Sequence, residues 1–172
     1  MEARVLDLNT GDEVGANETG ELLVRGPCVM KGYLKRPDAD AATFLDGAWM
    51  RTGDVAYFDA EGYLFVVDRI KELIKYNAYQ IAPAELEAVL VSHPAVVEAA
   101  VIPSPDAEHG QVPKAYVVLK AVITPEALMD FVAERVAPYK KVRKLVIVDA
   151  IPKTPAGKLL RRVLVDQDRL TP

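Results

Sequence analysis

Cysteine is almost missing from this chain. Cys28 stands alone among 172 residues, which leaves neither a disulfide framework nor a cysteine-built metal cluster. Histidine is nearly as scarce. His93 precedes Pro94 at the end of a helical pattern, where it caps or fills a corner rather than ligating a metal. No apolar run approaches membrane-spanning length, and the opening residues, with Glu2 and Asp7, do not read as a secretion signal. A cytoplasmic address is the expectation. Charge of one sign is lacking too. The 21 basic and 25 acidic residues are well mixed, for a net charge of -4, which argues against nonspecific nucleic-acid binding. One local cationic stretch (Arg135, Lys140, Lys141, Arg143, Lys144) reads equally as a solvated strand or a phosphate contact. The chain carries no glycine-rich phosphate loop, no GxGxxG, no Gly-x-Ser-x-Gly elbow and no HExxH. No internal repeat and no glycine- or serine-rich linker divides it.

What is present is an apolar content of 51%, enough to bury one core or two small ones. The first seventy residues read as short strands and turns. Strands are expected over 4–8 and 21–25, a short helix through Ala42, and a hairpin of 55–58 and 63–67 around Asp59-Ala60-Glu61-Gly62. A small sheet with so few helices to cover it belongs to something larger. The character changes after Asp68-Arg69. Pro83 opens a helix whose Leu86, Val89 and Leu90 share a face. Strands follow over 96–102 and 114–119, separated by a loop over 103–110. Thr124 caps a second helix with Pro125 at its first position, and Leu128, Phe131 and Val132 line one side. A last strand spans 145–148. The expectation is an α+β fold: residues 1–68 form a β-rich unit, and residues 69–172 a compact unit with two main helices on a small sheet. Its core is expected to hold Leu86, Val89, Val101, Val117, Phe131, Val132 and Val146.

The most informative stretch is the loop from Pro152 to Arg162. Pro152 and Pro155 restrict the backbone, Gly157 lets the turn open, and Lys158 sits where the loop meets the apolar positions Leu159, Leu160, Val163 and Leu164. A lysine so placed is a movable point charge suited to phosphate or carboxylate, although a solvated loop before an amphipathic helix accounts for it as well. In Arg51-Thr52-Gly53-Asp54, Gly53 permits a turn that presents the Asp54 carboxylate to a diol such as a ribose; an ordinary Asx-type turn cap is the alternative. Arg69 either salt-bridges locally or reaches a phosphate. Lys71 and Lys75 share a face in either a helix or a strand, so the period there stays ambiguous.

These pieces together resemble the C-terminal part of an acid–CoA ligase of the adenylate-forming superfamily. The resemblance runs from about Val5 to Leu164. It is carried by Gly20-Glu21-Leu22-Leu23-Val24-Arg25-Gly26-Pro27, Met30-Lys31-Gly32-Tyr33, Arg51-Thr52-Gly53-Asp54, 67–76, Gln80-Ile81-Ala82-Pro83-Ala84-Glu85-Leu86-Glu87 and the Lys158 loop. It implies that ATP activates a carboxylic acid as an acyl-adenylate, and that the CoA thiol then displaces AMP. By the same resemblance Asp54 binds the ribose hydroxyls, Arg69 contacts the nucleotide, and Lys71 is the hinge at 68–71. Residues 69–172 are then a mobile lid domain. Lys158 bridges acyl and phosphate oxygens during adenylation. Lys75 and Gln80 line the face turned to the adenylate in the thioester-forming conformation.

The resemblance further implies that the phosphate loop, the acyl pocket and the contacts to Mg²⁺ belong to a preceding portion, so no metal site is expected here and the isolated chain is expected to be inactive. The partners implied are a carboxylic acid and CoA. Two departures stand out: Asn77 and Ala78 replace the lysine and glycine common in these ligases, and Gln111 replaces a glutamate. By the resemblance, the alanine methyl is expected to narrow the thiol channel or demand a small backbone shift. A non-enzymatic nucleotide-binding or interaction module, and a peptide-synthetase adenylation domain, are the alternatives. The run Ile81-Ala82-Pro83-Ala84-Glu85 favours the CoA-ligase side. The end at Leu170-Thr171-Pro172 carries no peroxisomal tripeptide.

Overall fold

Asp7 sets the end of the first strand. Its carboxylate accepts the backbone N–H groups of Asn9 and Thr10, each at 2.8 Å, and this Asx turn bends the chain away two residues before the expected limit at Leu8. The computed structural model describes residues 1–170; Thr171 and Pro172, the last two positions of the terminal tripeptide, lie outside the described residues. The chain divides into two units, Met1–Lys71 and the residues from Glu72 onward.

The first unit is an antiparallel sheet. Its strands are β1 (Glu2–Leu6), β2 (Gly20–Arg25), β3 (Phe44–Leu45), β4 (Trp49–Phe58) and β5 (Leu64–Arg69), in the order β1-β2-β4-β3 with β5 paired to β4. Helix α1 (Pro37–Thr43) precedes β3. The β4–β5 hairpin turns where expected, because the Asp59 carboxylate accepts the N–H groups of Glu61 and Tyr63 at 3.0 and 2.8 Å. Strand β4 starts six residues earlier than the expected Val55, however, and takes in Arg51-Thr52-Gly53-Asp54. Its core is small, a cluster of Val5, Leu22 and Ala56. Tyr63, Leu64, Phe65 and Val66 on and beside β5 are exposed.

In the second unit a long antiparallel hairpin, β8 (Val96–Asp106) and β9 (Gly110–Leu119), forms the centre. Strand β10 (Lys144–Ile147) runs parallel to β9, and β6 (Ile74–Tyr76) joins β9 through Tyr76 and Gly110, with β7 (Tyr79–Ile81) on its far side. The sequence Val96 to Ile102 is nearly all apolar because both faces of this sheet are covered. Val96, Ala99 and Val101 of β8, with Ala115 and Val117 of β9, face one cluster that includes Leu86 and Leu90 of α2 (Pro83–Val91) and Leu128 and Val132 of α3 (Pro125–Ala133). Ala100, Ile102 and Tyr116 point the other way, onto Leu164 of α4 (Arg161–Leu170) and Ile151. Of the expected core, Leu86, Val101, Val117 and Val132 are fully buried, Val89 and Phe131 are partly buried against the first cluster, and Val146 packs on the second. The expectation of two main helices missed α4, which supplies that second layer.

The expected loop over 103–110 is mostly strand. Pro103 and Pro105 pair with Pro113 and Gln111, which works because prolines two apart present their missing N–H on the same side, here the open edge of β8. Pro113 turns its carbonyl outward to accept Arg143 N–H at 2.9 Å. The ambiguous run after Arg69 resolves into a 3₁₀ turn, Ile70–Glu72, followed by β6. Lys71 and Lys75 therefore share neither a helix nor a strand.

Candidate functional site

Asp54 does not sit in a turn. Four steps along β4, from Arg51 to Val55, match only two along β2, from Leu23 to Glu21, so 52–54 form a bulge within the strand. Gly53 adopts φ 72° there, a conformation costly for a residue with a Cβ. Thr52 holds the bulge: its hydroxyl donates to Leu22 O at 2.8 Å and accepts Asp54 N–H at 3.1 Å. Asp54 is thereby re-aimed and lies opposite Arg69 across the β4–β5 ladder, with Arg69 Nε 3.2 Å from Asp54 Oδ1. The carboxylate is half-buried and keeps its second oxygen for a further donor. A paired, oriented carboxylate beside a guanidinium suits a vicinal diol next to a phosphate.

Lys75 and Gln80 face each other across the β6–β7 hairpin, and both are exposed. The Lys75 backbone N–H is tied to the Gln111 side-chain oxygen at 2.8 Å. A glutamate at 111 would accept the same bond, so the departure costs this contact nothing. The hairpin tip is Asn77-Ala78. Asn77 takes φ 51°, which asparagine tolerates better than most residues, and its N–H donates to His109 O at 3.0 Å. The His109 ring stacks on Tyr76 with centroids 4.6 Å apart.

Lys158 caps a closed loop. Thr154 N–H donates to Lys158 O at 2.8 Å, Lys158 N–H to Thr154 Oγ1 at 3.1 Å, and Leu160 N–H to Pro152 O at 2.9 Å. Gly157, at φ 80°, makes the turn possible. Leu159 packs against the second cluster, while the Lys158 side chain is exposed and has no carboxylate partner among the described residues. Lys71, in the 3₁₀ turn, is also exposed. Asp54 and Arg69 are thus brought together, as are Lys75 and Gln80.

Sequence reasoning missed the roles of two residues that organise this region. Arg161, at the start of α4, is paired with Glu72 and Glu87. Asp168, on the same helix, is 6% exposed and meets Lys114, while its other oxygen accepts Ser104 Oγ at 2.9 Å. Burial opposes the Asp168 charge, but hydrogen bonds from Lys114 and Ser104 outweigh it and hold the carboxyl below its ordinary value. Burial likewise opposes the Lys114 charge, and the Asp168 bond carries its pKa above the ordinary one. Charge at i and i+7 on an otherwise apolar helix face was the available signal. Among the described residues no three His, Cys, Asp or Glu gather to hold a metal ion.

Known proteins are similar to this chain in sequence and fold. The model of the AMP-binding enzyme C-terminal domain matches residues 85–158, and that of the AMP-binding enzyme matches residues 1–34. The probable CoA ligase CCL5 of Humulus lupulus is 53% identical over 96% of this chain and 30% of its own length. The 4-coumarate--CoA ligase-like 6 of Oryza sativa subsp. japonica is 54% identical over 97% and 28%. Among solved structures, ATP-bound MatB from Rhodopseudomonas palustris superposes with a TM-score of 0.90 at 32% identity, over 96% of this chain and 33% of that one. The chain spans about a third of the length of the proteins it matches.

Proposed function

The chain belongs to the AMP-binding enzymes, and from that premise we propose that it is part of an acid–CoA ligase and serves an ATP-dependent ligation of a carboxylic acid to CoA. The carboxylate oxygen attacks the α-phosphorus of ATP and pyrophosphate leaves; the CoA sulfur then attacks the acyl carbon and AMP leaves. The observation that carries this reading is Lys158, an exposed ammonium without a carboxylate partner among the described residues, where a loop closes on Thr154, in a fold that superposes on an ATP-bound enzyme. Brought against the α-phosphate, it offsets the negative charge that grows there. Asp54 accepts the ribose hydroxyls while Arg69 orients it and faces the nucleotide. Lys75 and Gln80 line the face used in the thioester step, and Lys71 is the hinge at which residues 69–172 move as a lid. The 172 residues alone are inactive, because they hold the ribose and lysine contacts without a phosphate loop.

Two assays test this. The isolated chain with ATP, Mg²⁺, CoA and a panel of carboxylic acids should release no AMP above background; turnover would overturn the inactivity. The chain should then be joined behind the preceding portion of the rice relative, whose native form serves as the active control. AMP formation dependent on acid and CoA is expected. A folded chimera that releases none with any acid the control accepts would overturn the ligase reading.

A further inference from the structure

Arg161 carries more contacts than any other charged side chain near the Lys158 loop. Its Nη2 donates to Glu87 Oε2 at 2.6 Å and its Nε to Glu87 Oε1 at 3.1 Å, a bidentate pair, while Nη1 donates to Glu72. Arg161, Glu72 and Glu87 are 20%, 26% and 13% exposed. The Glu87 carboxylate is itself anchored, because Oε1 also accepts Val101 N–H of β8 at 2.8 Å. Glu72 closes the 3₁₀ turn and stands three residues before Lys75. One guanidinium therefore joins three points: the start of α4, the buried face of α2 and β8, and the segment leading into Lys75.

The loop's own hydrogen bonds give it a shape but not a place. Those bonds run between Pro152, Thr154, Gly157, Lys158 and Leu160, all within the loop. Its other charged tether, Lys153 to Glu98 at 2.6 Å, is 34% and 36% exposed and is screened by solvent. Arg161, three residues after Lys158, is the stronger anchor. Two carboxylates share its fork, an arrangement that a lysine's point charge reproduces only in part.

We infer that Arg161 is a positioning residue that sets the pose of the Lys158 loop by tying it to Glu87 and to Glu72 at the end of the 3₁₀ turn. This rests on the acid–CoA ligase reading. Two measurements test it, on Arg161→Gln and Arg161→Lys. In the 172-residue chain, amide exchange at Gly157, Lys158 and Leu160 should quicken about 10-fold in R161Q and less in R161K, with Ala100 and Val117 unchanged. Unaltered exchange in the loop would overturn the inference, and so would an equal rise throughout the unit, which would make Arg161 a support of the fold alone. In the chimera with the rice relative, R161Q should lower kcat for adenylation about 10-fold, with KM for ATP within about 2-fold. R161K should recover part of it, and thioester formation from supplied acyl-adenylate should hold. Equal loss in both half-reactions would overturn the positioning role. A parent chimera that adenylates nothing would instead overturn the ligase reading, and the exchange result then decides the loop's placement by itself.

Discussion

Lys158 is a small part of the structure and a large part of the proposed chemistry. Its side chain supports nothing in the fold: it is exposed and has no carboxylate partner among the described residues. Lys158→Ala should therefore leave thermal stability within about 0.5 kcal/mol, the range of ordinary surface substitutions. In the chimeric enzyme the same change should slow adenylation about 10²- to 10³-fold, comparable to deleting one preorganised donor. Stopped-flow pyrophosphate release checks this beside CoA turnover of supplied acyl-adenylate; equal loss in both halves would count against a role in the first step. Asp54 behaves differently because it is held from two sides, by the Thr52 bulge and by Arg69. At the caps, Thr124 illustrates a purely structural residue. Its hydroxyl accepts Ala127 N–H at 3.3 Å, and Thr124→Ala should cost about 1 kcal/mol in urea unfolding without touching activity.

Among the elements, α4 matters most, since it carries both Arg161 and the buried Asp168. The Asp168–Lys114 pair gives its docking a pH dependence of known sign. Asp168 is held below its ordinary value of 3.8 in the fold. Its contribution to stability is fully present above that value and is lost as pH falls through the lower, folded one. Lys114 is raised above 10.5, so its contribution persists below that and is lost as pH climbs through the raised value. Between these limits the pair is intact. Asp168→Asn should lower the midpoint of unfolding near pH 7 and flatten the acid limb of stability against pH. A variant with an acid limb as steep as the parent's would show that other carboxylates govern it. Removing one partner of a pair this buried costs on the order of 3–5 kcal/mol, because the Lys114 ammonium is left unpaired.

For the molecule as a whole, the two units are unequal. The second has apolar clusters on both faces of its sheet, whereas the first has a small cluster of Val5, Leu22 and Ala56, buries Leu6, Leu23 and Val55 besides, and exposes Tyr63, Leu64, Phe65 and Val66. Residues 72–172 produced alone should unfold cooperatively, and residues 1–71 alone should aggregate or fail to. Calorimetry of the two pieces decides it; a cooperative transition from 1–71 would be the contrary result. Trypsin should cut the intact chain first at Lys71, which is exposed, and not at Lys75, whose strand neighbours Ile74 and Tyr76 are buried. A first cut within 96–150 would contradict a self-contained second unit.

Everything that depends on near neighbours was legible before any fold was known. Thr124 with Pro125, Pro83, and Asp59 with Gly62 act within four residues of themselves, so helix starts and hairpin turns followed from local sterics and hydrogen bonding. The motif series that carries the resemblance was legible too, because each motif is a short run. Distance along the chain defeated the rest. The bulge that aims Asp54 exists only because β4 pairs with β2, and Pro103 and Pro105 are strand residues only because they fall on an open edge. Arg161 lies 89 residues from Glu72 and 74 from Glu87, and Asp168 lies 54 from Lys114. Charge at i and i+7 flags the two α4 residues, but their partners have no local signature, because what joins them is the packing of α4 on a sheet made elsewhere in the chain. Residue identity by itself determined that a lysine follows a loop shaped by proline and glycine; the tertiary structure alone decided what holds that loop, since burial and a shared guanidinium are properties of the assembled core.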